Sequence, residues 1–515
     1  MGSVHPEINH GRRDLIKLGA AGMGVVLLGE QALAEPKKGV KFDEEYDVII
    51  VGSGFAGIAC GIKCAEKGYK TLMIEKMGRI GGNSVINGGI FCVPQNDLQK
   101  KAGIKDSNEL FIADCMKAGL GINHKELLET LAKRAHETYQ FTLKYGAKYL
   151  DSLVHEGGHS VPRTYQTAVG SGAGIVLPLM ERFEKMAGVA LKTRTKFDDF
   201  VMDDAGRVIG ILAREDYRFD SKLFSDDLEN QGGTPKAFKA TKAVMLASGG
   251  FCQDKYYRAV QDPRLTPSTD STNHPGATAG VLLKAFGIGA VPVQVSWIQF
   301  GPWACPDEKG FGVGSMFNVN ASFRYGISVD PKTGKRYMNE LADRKIRADH
   351  MFAVIGKDEN YPINLCDSQA IERLLPDHYE KALKAGILKK FNTLEELAQH
   401  YKMPVEAFKK TVTDYNSYVK AGKDPEFGKP TNMVDGITLS KAPFYAMRGT
   451  PKLHHTMGGL QINTQAQVIH SKTHQPIPGL YAAGEVTGGV HGASRLGSVA
   501  ITDCLTFGMI AGENI

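Results

Sequence analysis

The residues whose spacing first points to chemistry are Gly52-Ser53-Gly54-Phe55-Ala56-Gly57, followed by Glu75. A G-x-G-x-x-G turn lets backbone amides approach an anion, and an acidic residue about 20 positions on can accept hydrogen bonds from a ribose. Gly52 permits the tight turn, Gly54 lets the backbone approach a pyrophosphate, and Gly57 allows a helix to pack close to its strand. Amides at the helix N-terminus then hold the phosphates. The spacing alone is a weak signal, compatible with an ordinary tight turn and a solvated Glu75. Its surroundings give it weight. Tyr46 to Val51 is a mostly apolar, β-branched run of the kind that makes a buried parallel strand. Ile58 to Lys67 reads as a helix, and Lys70 to Ile74 as a second strand ending at Glu75.

The remaining elements follow the same alternation and predict an α/β fold. Helical patterns fill Lys125 to Lys148 and Ala173 to Ala187, and strands with turn signals run from Val189 to Arg214. Residues 217–240 are polar, carry Gly-Gly-Thr-Pro and read as a surface loop. A strand from Lys242 to Leu246 enters Ala247-Ser248-Gly249-Gly250-Phe251. From 296 to 435 the pattern becomes mixed, with helices at Leu394 to Gln399 and Val405 to Tyr418. Leu480 to Glu485 is another strand running into glycines, and Ala500 to Asn514 a closing helix.

Composition narrows the class. The 515 residues are 42% hydrophobic and 23% charged, and 62 basic against 56 acidic side chains leave +6, too even and dispersed for a nucleic-acid surface. Eight cysteines include no C-x-x-C and no C-x-x-C-H, which excludes a zinc module, a disulfide scaffold and covalent c-type haem in this chain. Cys60 and Cys64, one helical turn apart, read as packing residues.

The N-terminus reads as an address. Arg12-Arg13-Asp14-Leu15-Ile16-Lys17 precedes an uncharged run, Leu18 to Gly29, and Ala32-Leu33-Ala34 is an A-x-A cleavage signature. Twin arginines before a short apolar run look like a Tat export signal covering residues 1–34, cleaved after about Ala34. A buried helix or a solvated arginine pair is the alternative. Tat exports folded proteins, usually around a cofactor, so the signal predicts a bound organic cofactor and a periplasmic mature chain. Losing residues 1–34 removes three basic and three acidic residues and leaves +6. No later stretch approaches the ~20 apolar residues of a membrane span.

Further segments are more specific: Gly81-Gly82-Asn83-Ser84, Thr272-Asn273-His274-Pro275-Gly276-Ala277-Thr278, His454-His455-Thr456-Met457-Gly458-Gly459, and the run from Gly484-Glu485 through His491-Gly492-Ala493-Ser494-Arg495-Leu496-Gly497. From about residue 44 to the end, the chain resembles the flavoprotein of the soluble fumarate reductase (flavocytochrome c) family, which includes urocanate, acrylate and methacrylate reductases. The resemblance implies a Rossmann-like FAD-binding domain (44–295 and 436–515) interrupted by a smaller, mobile α+β capping domain (296–435), with the active site between them. It implies noncovalent FAD held by Gly54, Ala56, Gly57, Glu75, Lys76, Gly82, Asn83, Ser84, Gly88, Gly89, Ala247, Gly249, His274, Gly276, His454, Gly484, Glu485, Ser498, Ala500 and Ile501. The multihaem domain found in many members is absent here, so a separate periplasmic multihaem cytochrome c is the expected electron donor.

Reduction of an activated C=C needs a hydride, withdrawal of charge from the β-carbon and a proton for the α-carbon. Reduced flavin supplies the hydride. By resemblance, His455 and Arg495 draw charge through the substrate carboxylate, a task that suits arginine's planar fork. Arg344, closing Asn339-Glu340-Leu341-Ala342-Asp343-Arg344, matches the family's proton donor, with Arg347 a neighbouring competitor. Arginine normally keeps its proton, so it can serve only if a relay replaces the proton as it leaves. His491, His274 and Asn273 read as supports for the flavin or the fold.

The chain departs from fumarate reducers where they hold a second carboxylate. Their Q-x-H-P-T stretch is Gln299-Phe300-Gly301-Pro302-Trp303 here, and Asn318 to Arg324 contains no glutamate. Arg324 matches a relay arginine whose glutamate partner is lost, with Asn320 a candidate replacement. An unpaired carboxylate in a closed pocket costs roughly several kcal/mol. Gly301, Trp303 and Phe300 therefore predict an apolar far wall and a monocarboxylate substrate such as methacrylate, acrylate or an aryl acrylate. Fumarate, urocanate and cinnamate remain alternatives. A 3-ketosteroid dehydrogenase, which has no carboxylate clamp, and a noncatalytic flavin carrier are the more distant ones.

Overall fold

The run Val48-Ile49-Ile50-Val51 is buried on both faces, as a strand in the middle of a parallel sheet must be. The computed structural model describes residues 39–515, and the twin-arginine segment expected to be an export signal lies outside them. Strand Glu44–Val51 sits between Thr71–Glu75 and Thr234–Leu246, parallel to both. Val189–Thr193 extends the parallel sheet on one side and Pro476–Ala482 on the other. The helix Phe55–Glu66 lies against it, with nine of its twelve residues buried. The close approach there depends on glycine. Gly52 has φ +109°, and a Cβ on Gly57 would stand 2.0 Å from the Gly52 carbonyl oxygen. The closing helix, Val499–Asn514, crosses Phe55–Glu66 with Gly508 against the Ala56 backbone.

Residues 217–240 are not one loop. Only 217–233 stays outside the sheet, with a single helical turn at Asp226–Glu229. Thr234 opens a 13-residue strand that pairs antiparallel with Val208–Glu215 before its second half joins the parallel sheet. Lys236, Lys239 and Lys242 are half-buried while Ala237, Phe238 and Ala240 are buried, so polar composition concealed the strand.

A second sheet is antiparallel throughout, in the order Lys335–Arg336, Ile327–Asp330, Ile363–Asp367, Phe444–Arg448, Lys389–Phe391. It has its own core, built from Phe317, Tyr325, Ile327, Leu365, Phe408, Tyr415 and Met447 among others. This sheet and core run past residue 435, the boundary expected from sequence. Val434, Ile437, Leu439 and the strand Phe444–Arg448 all belong to it, because the strands on either side need that strand as their partner. A two-stranded ribbon, Ile298–Ala304 against Thr450–Thr456, carries the chain into and out of this region. Among the described residues no helix is long and apolar enough to cross a membrane, and no cluster of His, Cys, Asp and Glu could hold a metal ion.

Candidate active site

Two adjoining cavities share Phe55, Asn83, Ser84, Glu485 and Cys504 in their walls. The first lies over the C-terminal ends of the parallel strands, where open α/β sheets bind ligands. Gly52 to Ala56, Glu75, Lys76, Gly81 to Ser84, Ala247 to Gly249, His274, Gly276 and Gly484 line it. Ser53 Oγ donates to Glu75 at 2.5 Å and accepts from the Gly81 amide at 2.9 Å, which locks the two glycine turns together. Asn83 accepts from the His274 amide at 2.6 Å and donates to Asn273, whose side-chain amide donates to the His454 carbonyl. This cradle, with an N-terminal helix turn at one end and an acidic side chain at a strand terminus, fits FAD.

The second cavity collects the chemistry: Glu156, Trp303, Arg344, His454, His455, Glu485 and Arg495 line it together with Ile86, Phe311, Met316 and Val319. Neighbours on a strand normally face opposite ways, yet His454 and His455 both reach it. The register slips between Gln299, opposite His455, and Phe300, opposite Leu453, leaving His454 as the extra residue of a bulge. Such bulges re-aim side chains next to active sites. His454 Nδ1 lies 2.7 Å from Thr272 Oγ1, and His455 Nδ1 3.4 Å from Glu485 Oε1. Gln299 donates to the Arg495 carbonyl at 3.0 Å and to Ser494 Oγ at 2.8 Å, tying the arginine's backbone to the ribbon. Arg344 opens the helix Arg344–Ile355, capped by Asp343. The preceding turn is anchored by Glu340, which accepts from Arg336 on the second sheet at 2.8 and 3.0 Å.

Four buried donor-capable nitrogens in this cavity's lining have no partner in the protein: His455 Nε2, Arg344 Nη1, Arg495 Nε and Trp303 Nε1. Leaving such groups unsatisfied is costly, so the cavity is built for a ligand with acceptor oxygens. Burial, then Arg495, holds His455 well below the usual histidine range, and burial with the two arginines does the same to His454. Burial and the neighbouring Arg344 push Arg495 down to about 9, and burial also lowers Arg344. Burial raises the Glu485 carboxyl to about 7.

The structure brings Arg344, His455, Arg495 and Trp303 together and separates others from them. Asn320 and Arg324 lie outside the cavity lining. Asn320 faces His378 Nδ1 at 3.1 Å, and Arg324 stacks on Tyr325 and reaches Asp435 at 4.0 Å, so the expected pairing of Arg324 with Asn320 is not formed. The carboxylate beside Arg344 is Glu156, 3.2 Å from Nη2 and 188 residues away in sequence, a distance no local motif could bridge. Phe300 packs edge-on against Phe352 instead of walling the cavity. Trp303 walls the cavity and packs in a small core with Phe323, Met338 and Met351. Gly301 is not in the lining, because the indole fills the space its side chain would occupy: a Cβ there would be 2.9 and 3.0 Å from Trp303 Cζ2 and Cε2.

Among the expected cofactor residues, Gly88, His454, Ser498, Ala500 and Ile501 line the second cavity. Gly57 and Gly89 line neither. Gly57 serves helix packing, and a Cβ at Gly89 would strike Thr167 and the Ser171 backbone. Sequence reasoning missed Asp227, which lines the first cavity and pairs with Lys76 at 3.6 Å from the presumed surface loop. Ser498, with φ +62° at the head of the closing helix, is a strained non-glycine position of the kind found at functional sites.

The sheet, its glycine turns and the second cavity define a flavoprotein with a small-molecule site beside the cofactor cradle. The FAD binding domain family matches residues 47–501, and the chain belongs to it, among the soluble fumarate reductase-like flavoproteins. It is 44% identical to the acrylate reductase flavoprotein subunit of Shewanella woodyi over 504 residues, 97% of each chain. It is 34% identical to a fumarate reductase (cytochrome) of Shewanella frigidimarina over 469 residues, 91% of this chain and 76% of that one. The open conformation of a flavocytochrome c3 fumarate reductase superposes with a TM-score of 0.69 at 30% identity, covering 98% of this chain and 80% of the other.

Proposed function

We propose that this protein reduces the C=C bond of a small α,β-unsaturated monocarboxylate such as acrylate or methacrylate. In this reading FAD is bound noncovalently, the mature chain works in the periplasm, and a separate multihaem cytochrome c supplies electrons. The observation that carries the reading is that Arg344, Arg495, His455 and Trp303, each with a buried unpartnered nitrogen, line one cavity that shares wall residues with the dinucleotide cradle.

FAD, when bound, supplies the hydride that no side chain can provide. Arg495 grips the substrate carboxylate and stabilises the charge that develops on it as the double bond is reduced. His455 is neutral, so it polarises the carboxylate by donating a hydrogen bond. A protonated Glu485 facing Nδ1 leaves the Nε2 proton free to point into the cavity. Arg344 delivers the proton to the α-carbon. Its guanidinium carbon lies 4.5 Å from the centroid of the Trp303 ring, a cation–π contact that helps hold the side chain in place. The second core acts as the cap that brings Trp303 and Arg344 over the substrate and excludes water. Trp303, standing where fumarate reducers place a threonine and filling the space over Gly301 at the histidine position, gives the far end an apolar wall, which favours one carboxylate over two.

Anaerobic oxidation of dithionite-reduced methyl viologen by FAD-loaded protein tests this, with fumarate, acrylate, methacrylate, cinnamate and urocanate in parallel. Turnover of a monocarboxylate with fumarate poor is the expected result. A higher kcat/KM for fumarate defeats the monocarboxylate reading, and silence on all five acids defeats enoate reduction.

A further inference from the structure

A carboxylate announced by no motif lines the substrate cavity. Glu156 lies between strands Tyr149–Val154 and Thr164–Thr167, nearly buried, with Oε2 accepting from Arg344 Nη2 at 3.2 Å. It is not free to turn away. A Cβ on Gly157 would stand 2.9 Å from the Ala342 carbonyl oxygen, and one on Gly497 2.8 Å from Glu156 Oε2, so the turn is wedged between those two segments. His159 holds it from below: Nε2 lies 2.8 Å from the Gly497 carbonyl oxygen and Nδ1 2.9 Å from Arg163 Nη1. Arg163 is in turn fixed by Asp106 and Asp114 at 2.6–2.9 Å.

This anion changes the charge available to a substrate. The acidic and basic side chains lining the cavity are Arg344, Arg495, Glu156 and Glu485, the last taken as protonated because burial raises it to about 7, beside two histidines that burial keeps neutral. Glu156 is in ion-pair contact with Arg344, whereas Arg495 Nε is unpartnered and its Nη1 reaches only the Leu496 carbonyl. Arg347 is buried near Glu156 and Arg344 but does not line the cavity, so among the lining side chains one cation is left for one carboxylate. A dianion would bring its second charge to a place where the remaining guanidinium is already neutralised and a fixed carboxylate stands beside it. We propose that Glu156 is a specificity-determining residue that limits the substrate to a single carboxylate by occupying Arg344 and repelling a second anion. This rests on the enoate-reductase reading and adds a charge criterion to the shape criterion of Trp303.

The test separates charge from shape in the FAD-loaded full chain. Monomethyl fumarate is larger than fumarate but carries one charge. If Glu156 counts charges, the wild-type protein reduces monomethyl fumarate with a kcat/KM at least tenfold above that for fumarate. Glu156→Gln raises the fumarate-to-acrylate kcat/KM ratio tenfold or more, and Glu156→Asp keeps the wild-type ratio. Succinate and monomethyl succinate, titrated into the oxidised holoprotein and followed by flavin absorbance, read the same preference without turnover. They keep the test alive if Glu156→Gln does not fold or if no acid is reduced, an outcome that falls on the enoate reading alone. Equal binding of the two succinates by the wild type overturns the proposal. So does a Glu156→Gln variant that retains FAD and slows on both acids while the ratio stays within threefold, which would make Glu156 a proton-transfer partner of Arg344 instead.

Discussion

Arg495 and Arg344 stand in one buried cavity, and both are held there at the expense of their charge, Arg495 down to about 9. Their roles separate under substitution. Arg495→Lys keeps a cation but loses the planar fork, and kcat/KM in the viologen assay should fall about a hundredfold. Arg344→Lys should lower kcat by about 10²–10⁴ while the affinity for the saturated acid, read from flavin absorbance, stays near wild type. Glu485 gives a pH signature. Its folded-state value of about 7 lies above its ordinary 4.5, so its contribution to stability is full below about 4.5 and is lost as pH rises through 7. The apoprotein should therefore lose stability relative to Glu485→Gln between pH 5 and 8, on the order of 3 kcal/mol by thermal melts. A difference independent of pH would contradict the assignment.

At the scale of elements, the ribbon Ile298–Ala304 against Thr450–Thr456 positions the site. Its bulge turns both histidines inward, and its Gln299 holds Arg495. Gly301 and Trp303 act as one unit, because the indole occupies the volume above the glycine. Gly301→Ala should cost about 1–3 kcal/mol through overpacking. Gly301→Ala combined with Trp303→Leu should lose less than the sum of the two single changes, since removing the ring removes the clash. Strict additivity in a double-mutant cycle would show that the two positions do not touch.

At the scale of the whole molecule, residues far apart in sequence close on the cofactor cradle, while the second core is built around its own antiparallel sheet. Adding FAD to apoprotein should therefore raise amide protection at 81–88, 247–251 and 484–501 together. The strands Ile327–Asp330 and Ile363–Asp367 should be little changed. Protection rising uniformly, second core included, would argue that the two cores do not behave separately. Hydrogen exchange with and without FAD decides this.

The dinucleotide half of the protein is legible in its sequence. A glycine turn between a buried strand and a helix is a local device, and local sequence encodes it: Gly52, Gly54, Gly57 and Glu75 fall where their spacing places them. The motifs around His455, Arg495 and Arg344 were also readable, as was the loss of the second carboxylate's histidine. Contacts between distant segments were not. Polar residues hid a strand start at Thr234, Asp227 reaches Lys76 from an apparent surface loop, and the expected partner Asn320 bonds elsewhere. The chain's sequence by itself determined the cofactor cradle, because that depends on backbone conformation and short spacings, while the side chains proposed to react were marked by the resemblance of their motifs to a known family. Tertiary structure alone decided that a bulge turns His454 and His455 to one side, that Trp303 fills the space over Gly301, and that Glu156 meets Arg344. Each of these depends on which distant segments share a buried volume, and on the charge and shape left over once that volume is filled.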